Sequence, residues 1–213
     1  MNLLYNFNMD KKQTIRRSQT ERTRASKEKI IKAASKFFAR EGFRGATLAD
    51  IAKAANMSEA GLLHHFPSKT HLLMAVLTER DRMDRERFNP SANNIGGDLL
   101  SSFNKLVSHN ETVPGLVQLF TTLVAESIYE QHPGHAFFIQ RYQTTRNETI
   151  EGIKLGQRDG YIRNDITAES LTIMLYAMMD GLQIQWLLEP EQVDMAGIFS
   201  QFINLLKTSS VNK

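Results

Sequence analysis

The 213-residue chain contains no cysteine. That excludes disulfides, thiolate metal sites and cysteine nucleophiles at once, and it agrees with an intracellular protein. No apolar run approaches the roughly 18 residues a membrane span needs. Met1–Asp10 lacks a long apolar core followed by a small-residue cleavage site, so the sequence predicts no signal peptide and a cytoplasmic protein. Met1 and Met9 are both candidate starts. There are no alternating strand patterns, internal repeats or low-complexity tracts. Proline is scarce, and the five present fall where helical patterns break: Pro67, Pro90, Pro114, Pro133 and Pro190. What remains is 41% hydrophobic and 23% charged, enough for one large helical domain or two small ones.

The net charge of +3 is unevenly spread. Residues 11–53 hold 13 Lys/Arg against 4 Asp/Glu, a balance of +9, whereas residues 90–213 hold 8 against 13, a balance of −5. A basic end on a mildly acidic body points to a polyanionic partner, with a solvated basic tail as the alternative.

Residues 1–22 read as a flexible, unpatterned basic arm. From Arg24 a helical pattern begins, with Ile30, Ala34, Phe37 and Phe38 on one stripe, and Gly42 ends it. Thr47 is the predicted N-cap of a second, short helix, with Asp50 in the capping-box position. Leu48, Ala49, Ile51, Ala52 and Ala55 supply its packing face. Asn56 stands at the turn, where a residue tolerant of the left-handed conformation is needed. Ser58 caps a third helix, whose buried positions are Leu62 and Phe66. Its outer positions are Glu59, Ala60, Gly61, Leu63 and His64. Ser68 caps a fourth helix with Leu72, Leu73, Val76 and Leu77 inside and a solvated, charge-rich end from Glu79 to Arg87.

Asn89–Gly97 reads as a boundary segment. Helical patterns then follow at about 98–109, 114–130, 135–158, 167–188 and 192–207. The expected fold is all-α, with about nine helices: an arm (1–22), a helix-turn-helix domain (23–70) and a larger helical domain (71–213).

Two capped helices joined by a tight turn define a helix-turn-helix. The second spans about 13 Å, which suits a major groove about 12 Å wide. The stretch TLADIAKAANMSEAGLLHHFPSKTHLL (residues 47–73) resembles the DNA-binding region of the TetR family, above all in His65, Phe66, Ser68 and Lys69. Asn56 replaces that family's turn glycine, Leu63 its tyrosine and Gly61 its threonine or serine. The resemblance implies that Thr47 and Lys69 hold DNA phosphates and that the third helix, with Ser58, Glu59, Ala60, Gly61, Leu63 and His64, meets bases. Arg24, Arg44 and the arm are further candidate contacts. Helix N-termini and lysine suit phosphate on their own physics as well.

The resemblance further implies a homodimer on a palindromic operator, released by a small-molecule effector. Candidate pocket residues are Phe103, Phe120, Phe137, Gln140, Tyr142, Met178, Asp180, Gln183 and Trp186; core packing is the ordinary alternative for the aromatic and Met residues, and helix-cap or interface hydrogen bonding for Asp180 and Gln183. Candidate interface residues are Leu171, Leu175, Leu182, Ile198, Phe202 and Leu205.

His64, His65 and His71 sit on two helices without a further ligand type, so no metal is expected, and no cofactor either. Gly152, Gly156 and Gly160 lie late in a helix, which suits close packing and a C-cap better than a phosphate loop. No nucleophile elbow, Walker pattern or carboxylate pair points to an enzyme. The alternatives carried forward are a helix-turn-helix adaptor without an effector and, less favoured by the residues, an all-helical enzyme.

Overall fold

The computed structural model describes the backbone of residues 3–88 and 96–208, with side chains over 20–88 and 99–208. Most of the Asn89–Gly97 segment therefore lies outside the described residues. Two compact units divide between Val76 and Leu77, and nine helices make up the described residues, without a strand.

The first unit holds α1 (Leu3–Gly45), α2 (Leu48–Ala54), α3 (Glu59–His65) and the start of α4 (Lys69–Phe88). Helical backbone begins at Leu3, well ahead of the expected start at Arg24. An apolar stripe is only one reason to be helical. The Lys, Arg and Gln of this stretch are good helix formers without one. At Gly42 (φ 70°) the first helical run ends as expected, and a further short turn to Gly45 follows across the kink. Ile30, Ala34, Phe38, Ile51, Ala52, Ala55, Leu62, Phe66, Leu72 and Leu73 form the core of the unit. Ala49 is exposed, not packed.

The caps are local and strong. Asp50 N donates to Thr47 Oγ1 at 3.1 Å, Gly61 N to Ser58 Oγ at 3.1 Å and His71 N to Ser68 Oγ at 3.3 Å. The capping box is altered, however: the Asp50 carboxylate accepts from the Thr47 hydroxyl at 2.5 Å. Asn56 adopts φ 57°. It donates to Lys53 O (3.1 Å) while Met57 N donates to Ala52 O (3.0 Å), the paired bonds of a Schellman ending. The tight turn between α2 and α3 rests on this residue.

The second unit holds the rest of α4, then α5 (Gly96–Glu111), α6 (Pro114–Glu126), α7 (His135–Arg158), α8 (Ala168–Leu188) and α9 (Met195–Leu206). Its core gathers Leu99, Leu100, Phe103, Val107, Val117, Ile153, Leu171, Leu175, Met195, Phe199 and Ile203. A Cβ on Gly152 would lie 2.9 Å from Leu99 Cδ2, so this glycine lets α7 approach α5 closely. Gly160 (φ 78°) ends α7, with Tyr161 N donating to Gly156 O at 2.9 Å. Both glycines thus have structural roles. α8 is long and apolar enough to cross a membrane by length and composition, but its buried side chains belong to this core.

Candidate nucleic-acid interface and effector cavity

On α3, Leu62 is buried, whereas Ser58, Glu59, Ala60, Leu63 and His64 are exposed. The outer positions read from the sequence therefore form one open face. Gly61 is only half-exposed, and a Cβ there would lie 3.3 Å from Ser58 Oγ. His65 packs partly inward. Burial, His64 and Lys27 hold its imidazole below the ordinary histidine range.

Lys69 is more constrained than a surface lysine. Its Nζ donates to Arg44 O at 3.2 Å and lies 4.9 Å from the centre of the Phe43 ring. Partial burial pushes its pKa down. The ammonium is thereby held beside the C-terminal turn of α1 with capacity for further acceptors. Phe43, which positions it, escaped the sequence reading, because 26 residues of chain separate the pair. Thr47 is exposed at the start of α2, where first-turn amides have no helical turn before them to bond. Arg24 is exposed and lies 3.6 Å from Glu28. Arg44 is exposed.

In the second unit a cavity of about 60 Å³ lies between α4, α5, α7 and α8. It is lined by Asp81, Asp84, Arg85, Phe103, Leu106, Arg141, Thr145, Glu148, Tyr176 and Met179. Arg141 donates to both oxygens of Asp81 (2.7 and 2.8 Å), and its guanidinium lies 4.6 Å from the Phe120 ring centre. Arg80 sits 5.6 Å from the same ring and donates to Leu116 O (3.1 Å) and Asn110 Oδ1 (3.0 Å). Burial pushes the Arg141 pKa down, and the bonds to Asp81 more than restore it. Burial raises Asp84, which has Arg80 at 3.5 Å. Arg85 and Glu148 add a looser pair at 3.6 Å. The Glu79–Arg87 stretch is therefore not simply a solvated end. Its Arg80, Asp81 and Asp84 turn inward and form an ion-pair lattice with α7.

Of the nine pocket candidates, Phe103 lines this cavity. Phe120 is the ring beneath the two arginines. Tyr142 packs edge-on against Tyr176 and donates to Asp180 Oδ2 at 2.7 Å. The others lie elsewhere: Gln140 is exposed, Phe137 packs on Phe138, and Met178, Gln183 and Trp186 belong to or beside the core. Asp81 and Glu148 were missed because the partner of each, Arg141 and Arg85, lies some sixty residues away on the other helix.

The interface candidates also need correction. Leu171, Leu175 and Leu182 are buried in their own unit. The open apolar side of α8 is instead Ile173, Met174, Ile184 and Leu188. On α9, Ile198 and Leu205 are exposed and Phe202 is half-buried. α8 is apolar all round, so periodicity did not tell its two sides apart.

This arrangement is that of a helix-turn-helix DNA-binding regulator carrying a second helical domain. The family model for bacterial regulatory proteins of the tetR family matches residues 30–76, and that for the C-terminal region of BetI-type transcriptional repressors matches residues 99–204. The chain belongs to the TetR family of transcriptional regulators. It is 26% identical over 205 residues to the regulator TtgR of Pseudomonas putida, covering 89% of this chain and 93% of the relative. It is 44% identical over 55 residues to RutR of Escherichia coli, covering 26% of each. These relatives are regulators, not enzymes. Its fold is shared with a transcriptional regulator from Saccharomonospora viridis solved with choline (TM-score 0.73, 23% identity, covering 87% of this chain and 98% of that one). It is shared as well with FadR of Bacillus subtilis solved with stearoyl-CoA (TM-score 0.69, 16% identity, covering 84% and 96%).

Proposed function

We propose that the chain is a cytoplasmic, homodimeric repressor that binds a palindromic operator and is released by a small-molecule effector entering the second unit. The observation that carries the DNA-binding half is the open face of α3, with Glu59, Ala60, Leu63 and His64 presented to solvent, together with the ammonium of Lys69 held at the end of α1. In this reading Lys69 and Thr47 take phosphates, with Arg24, Arg44 and the arm adding backbone contacts. Ser58 orients the start of α3. In this reading the first unit, up to Val76, binds DNA, and the second, from Leu77, takes the effector and dimerises.

With Leu63 and Gly61 outward, α3 has few long polar side chains, so part of the sequence preference comes from DNA shape and from contact with thymine methyl groups. Titration of labelled upstream DNA, followed by fluorescence anisotropy, tests this. Selective binding that weakens steeply with salt is expected. Lys69→Ala should weaken operator and random DNA alike, while His64→Ala should change preference. Binding without selectivity or salt dependence would refute the reading.

The effector half rests on the cavity beside α4, the helix that belongs to both units. At about 60 Å³ it has room for a few waters and is far below the roughly 300–1,000 Å³ of drug-sized sites. An effector of ordinary size therefore opens it, at the expense of the Arg141–Asp81 lattice. The small volume also favours a second reading, an adaptor without effector. A compound that raises the thermal midpoint and lowers operator affinity decides for the effector. Full retention of operator binding across a broad compound set decides for the adaptor.

A further inference from the structure

A groove on the first unit belongs to neither the DNA-reading face nor the cavity beside α4. It has about 340 Å³ of space between α1 and the end of α2, within the range of small-molecule sites. Ala33, Phe37, Ala54 and Ala55 give it an apolar floor, and Lys29, Lys32, Lys36 and Asn56 form its rim. The three lysines are exposed and stand at successive turns on one side of α1. The carboxylates nearest in sequence are engaged elsewhere, Glu28 by Arg24 and Glu41 by Arg40.

The direction of this stripe separates it from DNA reading. At 100° per residue, Lys29, Lys32 and Lys36 point roughly opposite to the buried Ile30, Ala34 and Phe38. The buried side is the one that meets α3: Lys27, on that side, lies 5.9 Å from the Phe66 ring centre. The lysines therefore point away from the recognition helix. A phosphate backbone would use the ammonium groups and leave the concave floor empty. An occupant that uses both has an anionic head and an apolar body.

We infer that this groove binds a small amphipathic organic anion, a carboxylate on a short alkyl or aryl body, with the head among Lys29, Lys32 and Lys36 and the body on Phe37 and the three alanines. The site is independent of the proposed effector cavity, so either can fail alone. A bound anion would cancel part of the positive field of the DNA-binding unit, which makes the groove a second input to operator affinity.

Methyl NMR of the full-length protein with labelled alanine tests this, using sodium octanoate as the probe. Saturable shifts of the Ala33, Ala54 and Ala55 methyl signals are expected. Acetate, which lacks the body, and octylammonium, which has the wrong charge, should leave them in place. The Lys29→Gln/Lys32→Gln/Lys36→Gln variant should bind octanoate about tenfold more weakly. Ala54→Glu, at an exposed floor position, should block it by bulk and charge, and the remaining methyl signals of each variant report that it is folded. Unmoved floor signals, or equal shifts with octylammonium, would overturn the inference. So would shifts produced by random duplex DNA but not by octanoate, with a salt slope reduced by roughly 2.7 in the triple variant; the stripe would then be a phosphate track.

Discussion

Asn56 and Asp180 carry out opposite kinds of work at the scale of single residues. Asn56 relieves strain: its φ of 57° is tolerable for asparagine and costly for residues with an ordinary Cβ. Asn56→Ala should cost about 1–2 kcal/mol, and Asn56→Gly should be neutral or better, both read from chemical denaturation. Asp180 stores strain. Burial raises its carboxyl above the usual aspartate range, and the Tyr142 hydroxyl only partly offsets this. A group raised in the folded state stabilises most when protonated. Its contribution is complete below about pH 3.8 and is lost as pH rises through the raised folded value. Asp180→Asn should remove that pH dependence and leave the protein at least as stable at pH 7. A wild-type-like pH profile in the variant would contradict this assignment.

At the scale of elements, α4 was only half legible. Its apolar start reads directly from Leu72, Leu73, Val76 and Leu77, and all four are buried. Its charged end looked like any solvated helix, because the partners that draw Asp81 and Arg80 inward lie on α6 and α7, beyond the reach of local pattern. The caps at Thr47, Ser58 and Ser68 were legible for the converse reason: each bond spans three residues. On α8 apolar residues occur on every side, and the inner and outer sides could be told apart only in the folded unit. The Asp81–Arg141 pair makes the element-scale prediction. Asp81→Ala leaves a buried guanidinium without its carboxylate and should cost about 3–5 kcal/mol, whereas replacing both residues with apolar side chains of similar volume should cost far less. A double-mutant cycle by denaturation measures the coupling.

At the scale of the whole molecule, the apolar residues left open on α8 and α9 bear on assembly. Ile184, Leu188 and Leu205 are 48%, 75% and 68% exposed, apolar surface open to a partner. In the proposed dimer these side chains are covered by a second copy. Ile184→Asp with Leu188→Asp should shift sedimentation from dimer to monomer, leave the helical circular dichroism unchanged and lower operator affinity, because one recognition helix reads too few bases alone. An unshifted dimer would place the interface elsewhere.

In the proposed effector reading, the small cavity beside α4 has a consequence in time. A site that must open before it fills admits its ligand only during the opened fraction, so apparent affinity falls by that fraction. Association is slowed by the same fraction. A regulator built this way ignores brief pulses of its signal and answers to sustained exposure. Variants that loosen the Arg141–Asp81 lattice would respond faster and to less.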